Sequence, residues 1–561
     1  MKNKERGIYL EDQQNDFLYK KNKSNLDVSF NRIAFIFFIF FIIFLIYSIH
    51  LIHMGSRKSK TKIDEIKIPI NKLYRAGIVD RNNNYLVKTV SSIDIGISTK
   101  KVIDKKKLII NLKYIFPNKD YSKIEYKLNN KNFFYFEKKI SDENYEKIMQ
   151  LGDKSIQPEE RLIRVYPEKN LFSHIIGQID NDNNGISGLE KSLDSELKNI
   201  KEPIKLTVDK DVQFLVRNEL IKFNKIFNTK GSAAILMNVM NGEILSLVSL
   251  PDFDPNKREK ISNLNFINRA TKGVYEFGSV FKTLTLAAAF EEKIIEPETK
   301  FNNLPKSITC AGFPIREYDE KIPSNLTAEQ ILIRSGNIGS VRIGQKVGED
   351  KFRLFLSKLG VLNEINFDIE EVGKPIKFNW GKCPLATASF GHGITTTLLQ
   401  LAKAYSIIAN GGYEIEPKLI KKFKKYKKNK ILNTDVSKKI LPILRKIVTT
   451  KEGTASLANV DGYEIGGKTG TAQKSTEGGY SRKKINSFVS VFPTSKPKFV
   501  LAVMLDEPEI NQDYIYHYRD GSNIKYKGTP FNTAGWTTVE VVGQIVEKIG
   551  PILATKYSEI N

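Results

Sequence analysis

Between Ile33 and Ile52 the chain is apolar without a single Asp, Glu, Lys or Arg. At about 1.5 Å per residue, a helix of this length crosses a ~30 Å hydrocarbon core. It has no polar face, which argues against a half-buried helix of a soluble domain. A cleaved signal peptide would have a shorter apolar stretch and a small-residue cleavage site, and Met54-Gly55-Ser56 is a poor substitute for one. The pattern therefore predicts an uncleaved membrane anchor at 33–52 behind a cytoplasmic arm at 1–32. Basic residues do not orient it, because Lys20, Lys21, Lys23 and Arg32 precede the span while Arg57, Lys58, Lys60 and Lys62 follow. A short arm and a large remainder favour export of the remainder.

Past the anchor the period changes. From 53 to 204 short apolar runs alternate with turn signals. Arg75 to Arg81 leads into Asn82-Asn83-Asn84, and Tyr85-Leu86-Val87 resumes, which predicts strand, turn and strand. Helical stretches around Asp104–Ile115 and Asp142–Leu151 interrupt this pattern. The stretches Arg164-Val165-Tyr166-Pro167 and Gly185 to Glu190 carry no nucleophile–base pair, so a pedestal or interaction module is expected here. A second unit, 205–561, opens with a strand at Leu206–Asp209 and a helix at Asp211–Phe223. Ser232–Val239 and Glu243–Ser249 then flank an Asn241-Gly242 hairpin turn. Strands and helices in this order point to an α+β fold.

The chemistry begins at Gly278-Ser279-Val280-Phe281-Lys282, where a loop opens into an apolar, alanine-rich helix from Leu284 to Phe290. Ser279 falls in the first turn, where free N–H groups favour a developing anion. Lys282 follows on the same face, so the two form a nucleophile and its candidate base. The spacing alone is weak, since Ser59, Ser98, Ser195, Ser481 and Ser495 also have a lysine three residues on. Two later stretches select this copy. After a helical run at Ala328–Ile333, Ser335-Gly336-Asn337 presents a hydroxyl that could relay a proton and an amide that could bind a carbonyl. Then Lys468-Thr469-Gly470-Thr471 lies on a glycine-rich strand. Its cation and hydroxyls suit a terminal carboxylate, and Gly470 admits a substrate backbone.

Composition adds limits. The formal charge is +25, from 88 basic and 63 acidic residues. Lys, Asn and Ile are abundant throughout, so the excess is diffuse. The densest run, Lys421–Lys430, is expected to be a solvated loop or strand edge, and no nucleic-acid partner is expected. The two cysteines, Cys310 and Cys383, could pair, but sequence does not bring them together, and two free, partly buried thiols are the expectation.

Ser279-x-x-Lys282, Ser335-x-Asn337 and Lys468-Thr469-Gly470 resemble the three motifs of penicillin-binding proteins and serine β-lactamases. The Arg75–Arg81, Gly185–Glu190, Gly231–Ser249, Asn268–Ala270 and Ser389–Gly393 stretches extend the resemblance to class B penicillin-binding proteins of the division-specific kind. It covers almost everything past the anchor. Phe277 departs from it, standing where the family usually has proline before Gly-Ser.

The resemblance implies a β-rich pedestal and a transpeptidase domain with an antiparallel sheet packed between helices. It implies attack by Ser279 on a D-Ala-D-Ala stem peptide and transfer of the acyl group to a neighbouring amine. Lys282 would be the base, its pKa brought down about three units from ~10.4 by burial and by Lys468. Ser335 would pass a proton to the leaving amine and Asn337 would hold the peptide. Lys468, Thr469, Gly470 and Thr471 would bind the terminal carboxylate or that of a β-lactam. The oxyanion would rest on the N–H groups of Ser279 and Thr471. No metal or cofactor is implied. The implied partners are a SEDS-family glycan polymerase and other division proteins at the bacterial inner membrane, with the catalytic domains in the periplasm. An elongation-specific homologue shares every motif; the compact pedestal and the Thr533–Trp536 tail favour the division type. A non-catalytic scaffold is the alternative of another class. His392, with no acidic residue near it in sequence, is expected to pack.

Overall fold

The structure is a computed structural model that describes residues 25–56, 74–257, 266–421, 429–476 and 479–557. The chain divides into two units, residues 1–72 and Leu73–Asn561. Most of the arm and most of the Lys421–Lys430 run lie outside the described residues.

In the first unit, Asn25–Ser56 is one helix, and its Ala34–Ile52 window has a mean hydropathy of 2.8 with none of it buried. Phe37 and Phe44 are more than two-thirds exposed. An apolar surface on every side of a helix is stable against lipid, not water. The helix takes in residues 25–32, which the sequence pattern had left in the arm.

The second unit opens with the short strand Ile78–Val79, which pairs parallel with Ile204–Lys205 and antiparallel with strand Tyr85–Ser98; the latter also pairs antiparallel with both Phe133–Glu137 and Ile156–Val165. Its far half covers a small separate core of Ile95, Ile97, Leu108, Leu112, Phe134 and Ile148. Both expected helices are present, at Lys105–Ile115 and Asp142–Gln150. A third, Tyr121–Asn130, escaped the sequence pattern because only Ile124 and Leu128 anchor it, with Asp120 capping its start.

The three unexplained stretches of this region meet in one buried knot. Arg75, wholly buried, donates to Glu190 at 2.7 and 2.9 Å and to Asp194 at 2.6 Å. Arg164 donates to the other Glu190 oxygen at 2.7 Å. Two guanidiniums thus share one carboxylate, the paired and hydrogen-bonded condition under which buried charge is tolerated. Gly188 N–H donates to Glu371 at 2.9 Å, joining this knot to the larger domain.

That domain is built on an antiparallel five-stranded sheet. Its strands are β1 (Gly231–Asn238), β2 (Ile244–Leu250), β5 (Gly466–Thr476), β6 (Gly479–Phe492) and β7 (Phe499–Asp506), in the order β5-β6-β7-β1-β2. Between β2 and β5 in sequence lie the small hairpin β3 (Ser307–Cys310) and β4 (Phe313–Arg316), and helices α1 (Phe281–Glu291), α2 (Asn337–Val347), α3 (Lys382–Ala388) and α4 (Leu398–Ala409). All twelve residues of α4 are buried, and it packs on β1, β6 and β7. Helices Lys210–Ile226 and Thr538–Tyr557 pack together and on the sheet. Asp209 caps the first of these and accepts from Tyr557 Oη at 2.8 Å, closing the domain's beginning on its end. The expected α+β fold, with its sheet between helices, is present, and β5 is left at the sheet edge.

Candidate active site

Ser279 lies in a single 3-10 turn, Gly278–Val280, that runs straight into α1. Tyr405 Oη, on the buried α4, donates to Val280 O at 2.8 Å and holds the turn from below. Phe277 replaces the rigidity of a proline with burial. Its φ of −103° lies outside the range a proline ring allows, but its side chain is fully buried and meets Tyr275 edge to face at 5.8 Å. The edge strand β5 runs against this turn so closely that a Cβ on Gly470 would stand 2.2 Å from Phe277 O. Only glycine allows that approach, so the expectation is corrected: Gly470 makes room for the serine turn and not for a substrate backbone.

The helix geometry brings Lys282 inward. Only 1% exposed, its Nζ donates to Ser335 O at 2.5 Å, Ser335 Oγ at 3.3 Å and Asn337 Oδ1 at 2.6 Å. Lys468, on β5 and fully buried, donates to Ser335 Oγ at 2.8 Å and to Thr469 O at 3.1 Å. Two lysine amines from distant elements therefore meet at one hydroxyl. Ser335 itself sits at φ +57°, a left-handed conformation that costs a non-glycine residue roughly 1–3 kcal/mol and that tight surroundings must impose. This turns both its carbonyl and its hydroxyl toward lysines. The half-buried Ser279 hydroxyl has no hydrogen-bond partner among the described residues.

Burial pushes the Lys282 ammonium down to about 7, against a weaker upward pull from Glu317. Lys468 is held well below its ordinary value, first by burial and then by repulsion from Lys282. The expectation named burial and Lys468 together; burial is the larger cause at both lysines, and the charged forms of the two amines disfavour each other across Ser335.

Three carboxylates and hydroxyls escaped the sequence pattern. Glu317, just past β4, accepts from the N–H groups of Asn337 at 2.6 Å and Ile338 at 2.9 Å, capping α2 where Asn337 begins it. Thr454 Oγ1 lies 2.8 Å from Thr469 Oγ1, and Ala534 N–H donates to Thr471 Oγ1 at 3.0 Å, so the tail braces β5. Glu276 accepts from Gly393 N–H at 2.8 Å and lies 3.8 Å from His392 Nδ1. His392 does pack, between Phe390 and Tyr480, yet it has the acidic neighbour its sequence surroundings lacked. No signal short of tertiary structure marks these pairs.

The expectation of free thiols is overturned. Cys310, at the end of β3, and Cys383, in α3, form a disulfide with Cα atoms 5.6 Å apart. The hairpin and α3 fold against each other over a separation of 73 residues, which sequence spacing could not reveal.

A family model described as the penicillin binding protein transpeptidase domain matches residues 232–523, and one for the penicillin-binding protein dimerisation domain matches 71–222. The chain belongs to the class B penicillin-binding proteins of FtsI type. It is 27% identical to the probable peptidoglycan D,D-transpeptidase FtsI of Caulobacter vibrioides, over 86% of this chain and 82% of that one. It is 30% identical to the peptidoglycan D,D-transpeptidase FtsI of Buchnera aphidicola, over 81% and 86%, and 29% identical to stage V sporulation protein D of Bacillus subtilis, over 78% and 74%. The crystal structure of penicillin-binding protein 3 from Mycobacterium tuberculosis shares the fold, with a TM-score of 0.64 at 21% identity, over 86% of this chain and 96% of that one.

Proposed function

We propose that this penicillin-binding protein is a serine D,D-transpeptidase that cross-links peptidoglycan stem peptides at the division septum through an acyl-enzyme on Ser279. The observation that carries the chemistry is the convergence on Ser335 of Lys468 and of Lys282, which lies one helical turn on from Ser279. A lysine near 7 is partly neutral at neutral pH and accepts the Ser279 proton as the oxygen attacks. Ser335, bridging the two amines, passes a proton to the departing D-alanine. Asn337, with Nδ2 donating to Arg316 O at 2.8 Å and Oδ1 on Lys282, is fixed at the cleft to hold the peptide. The N–H groups of Ser279 and Thr471 stabilise the oxyanion. A substrate carboxylate arriving at β5 supplies the countercharge that buried Lys468 lacks, drawing it toward its charged form, while Thr469 and Thr471 line the seat and Gly470 lets β5 lie against the serine turn. A β-lactam carboxylate takes the same place, which makes the protein its target.

Residues 53–204 serve as the pedestal of this domain. The Cys310–Cys383 disulfide supports an oxidising compartment and hence periplasmic catalytic domains. A SEDS-family polymerase and other division proteins are the partners of this reading.

Purified full-length protein is expected to release D-alanine from a pentapeptide donor and form a cross-link when an amine acceptor is present, with neither product from Ser279→Ala. Absence of both from the wild type contradicts the enzymatic reading and favours a scaffold. Depletion in cells is expected to give filaments with unfinished septa; rounded cells instead point to the elongation role.

A further inference from the structure

A groove of about 440 Å³ runs beside the catalytic turn. It is lined by the β3–β4 hairpin, through Cys310, Phe313 and Ile315, by the 377–387 segment, and by His392 and Gly393. The disulfide ties the hairpin to the segment. Among the described residues that line it, none comes from β5, where the donor's carboxylate is proposed to sit. Two of its lining residues, His392 and Ile315, are nevertheless chain neighbours of residues that touch the catalytic apparatus. Gly391, next to His392, packs so tightly on the Ser279 turn that a Cβ there would lie 2.0 Å from Gly278 O. Asn337 is bonded to the Arg316 carbonyl, adjacent to Ile315.

The chemistry around His392 is specific. Glu276, its side chain 9% exposed, is fixed by Gly393 N–H and by Tyr480 Oη at 3.0 Å. His392 lies 3.8 Å from it, with its ring 4.6 Å from that of Tyr480 and stacked on Phe390 at 5.9 Å. The imidazole is thus held in one plane, with a carboxylate behind it and 44% of its side chain open to solvent. Lys377, exposed at the rim, and Tyr480 are the other titratable groups facing it.

We propose that this groove seats the amine-bearing acceptor peptide and that His392 takes the proton the acceptor's ammonium must lose before it attacks. The proposal rests on the transpeptidase reading and names the site of its second substrate. Proton bookkeeping separates the two fates of the acyl-enzyme. Water attacking the Ser279 ester gives up one proton, which Lys282 accepts and returns to Ser279 Oγ as the C–O bond breaks. An ammonium must first shed a proton to become a nucleophile. It then forms the C–N bond and gives a second proton, by way of Lys282, to Ser279 Oγ. Lys282 is enclosed, 1% exposed, and serves the Ser279 oxygen, whereas His392 can pass the first proton to solvent. Lys377 offers a cation to the acceptor's own carboxylate.

The test uses full-length protein with a D-alanyl thioester donor. His392→Gln is expected to label with fluorescent penicillin and to hydrolyse the thioester as the wild type does, while transfer to D-alanine at neutral pH falls roughly 10²-fold. Transfer to hydroxylamine, which is neutral at that pH, is expected to be unaffected. Lys377→Glu is expected to raise the KM for D-alanine without changing hydrolysis. Unchanged transfer to D-alanine in His392→Gln overturns the proposal. So does a parallel loss of labelling, hydrolysis and transfer, which marks a structural role, or an unchanged KM in Lys377→Glu. If the wild type itself takes no penicillin, the transpeptidase reading fails instead.

Discussion

At the scale of single residues, the proposed reaction depends on removing charge from an amine. Lys282 is enclosed and bonded to Ser335 and Asn337, and Glu317 opposes its deprotonation from the far side of Asn337. Acylation is therefore expected to rise with pH through about 7, because Lys282 must be neutral to accept the Ser279 proton. A stopped-flow pH profile with a chromogenic cephalosporin checks this. Glu317→Gln removes the charge that favours the ammonium, so the midpoint of the profile is expected to move to lower pH; an upward shift contradicts the account. The motif residues were legible from spacing and side-chain chemistry, since serine, lysine and asparagine recur in one order on one helix, one loop and one strand. Glu276, Glu317 and Thr454 were not, because their roles arise from partners that the fold alone brings near.

At the scale of elements, the site is a seam between α1, the start of α2 and the edge strand β5. Hydrophobic period placed the helices and the Gly231–Leu250 hairpin well, because each buries a continuous apolar face. It missed Tyr121–Asn130, where two buried residues carry the whole helix. It also failed on the cysteines, since a bridge is a statement about the distance between two remote chains. Closing a loop over a separation of 73 residues stabilises by roughly 2–4 kcal/mol. Cys310→Ser is expected to lower the unfolding midpoint accordingly, and to leave penicillin labelling intact because neither sulfur touches Ser279, Lys282 or Ser335. A midpoint equal to the wild type's in an oxidised sample contradicts that contribution.

At the scale of the whole molecule, an apolar helix and a large two-part unit are joined by residues outside the described set. Within the large unit the Arg75–Glu190–Arg164 knot ties the strand and turn segments together. Removing its carboxylate leaves two buried guanidiniums short of a partner, so Glu190→Ala is expected to cost about 3–5 kcal/mol, read from denaturant melts. Burial alone would raise the Asp194 carboxyl, but hydrogen bonds from Lys198 and Arg75 hold it at about 2. Its contribution is present above about pH 4 and is lost as pH falls toward 2. The sequence carried the parts of this knot as three unassigned stretches, and only the fold gives them a common purpose. The central claim, an acyl-enzyme on Ser279, is tested most directly by mass spectrometry of the full-length protein after exposure to a fluorescent penicillin. A single adduct on the peptide containing Ser279, absent from Ser279→Ala, is the result expected. No adduct on the wild type, or one that persists in Ser279→Ala, contradicts it.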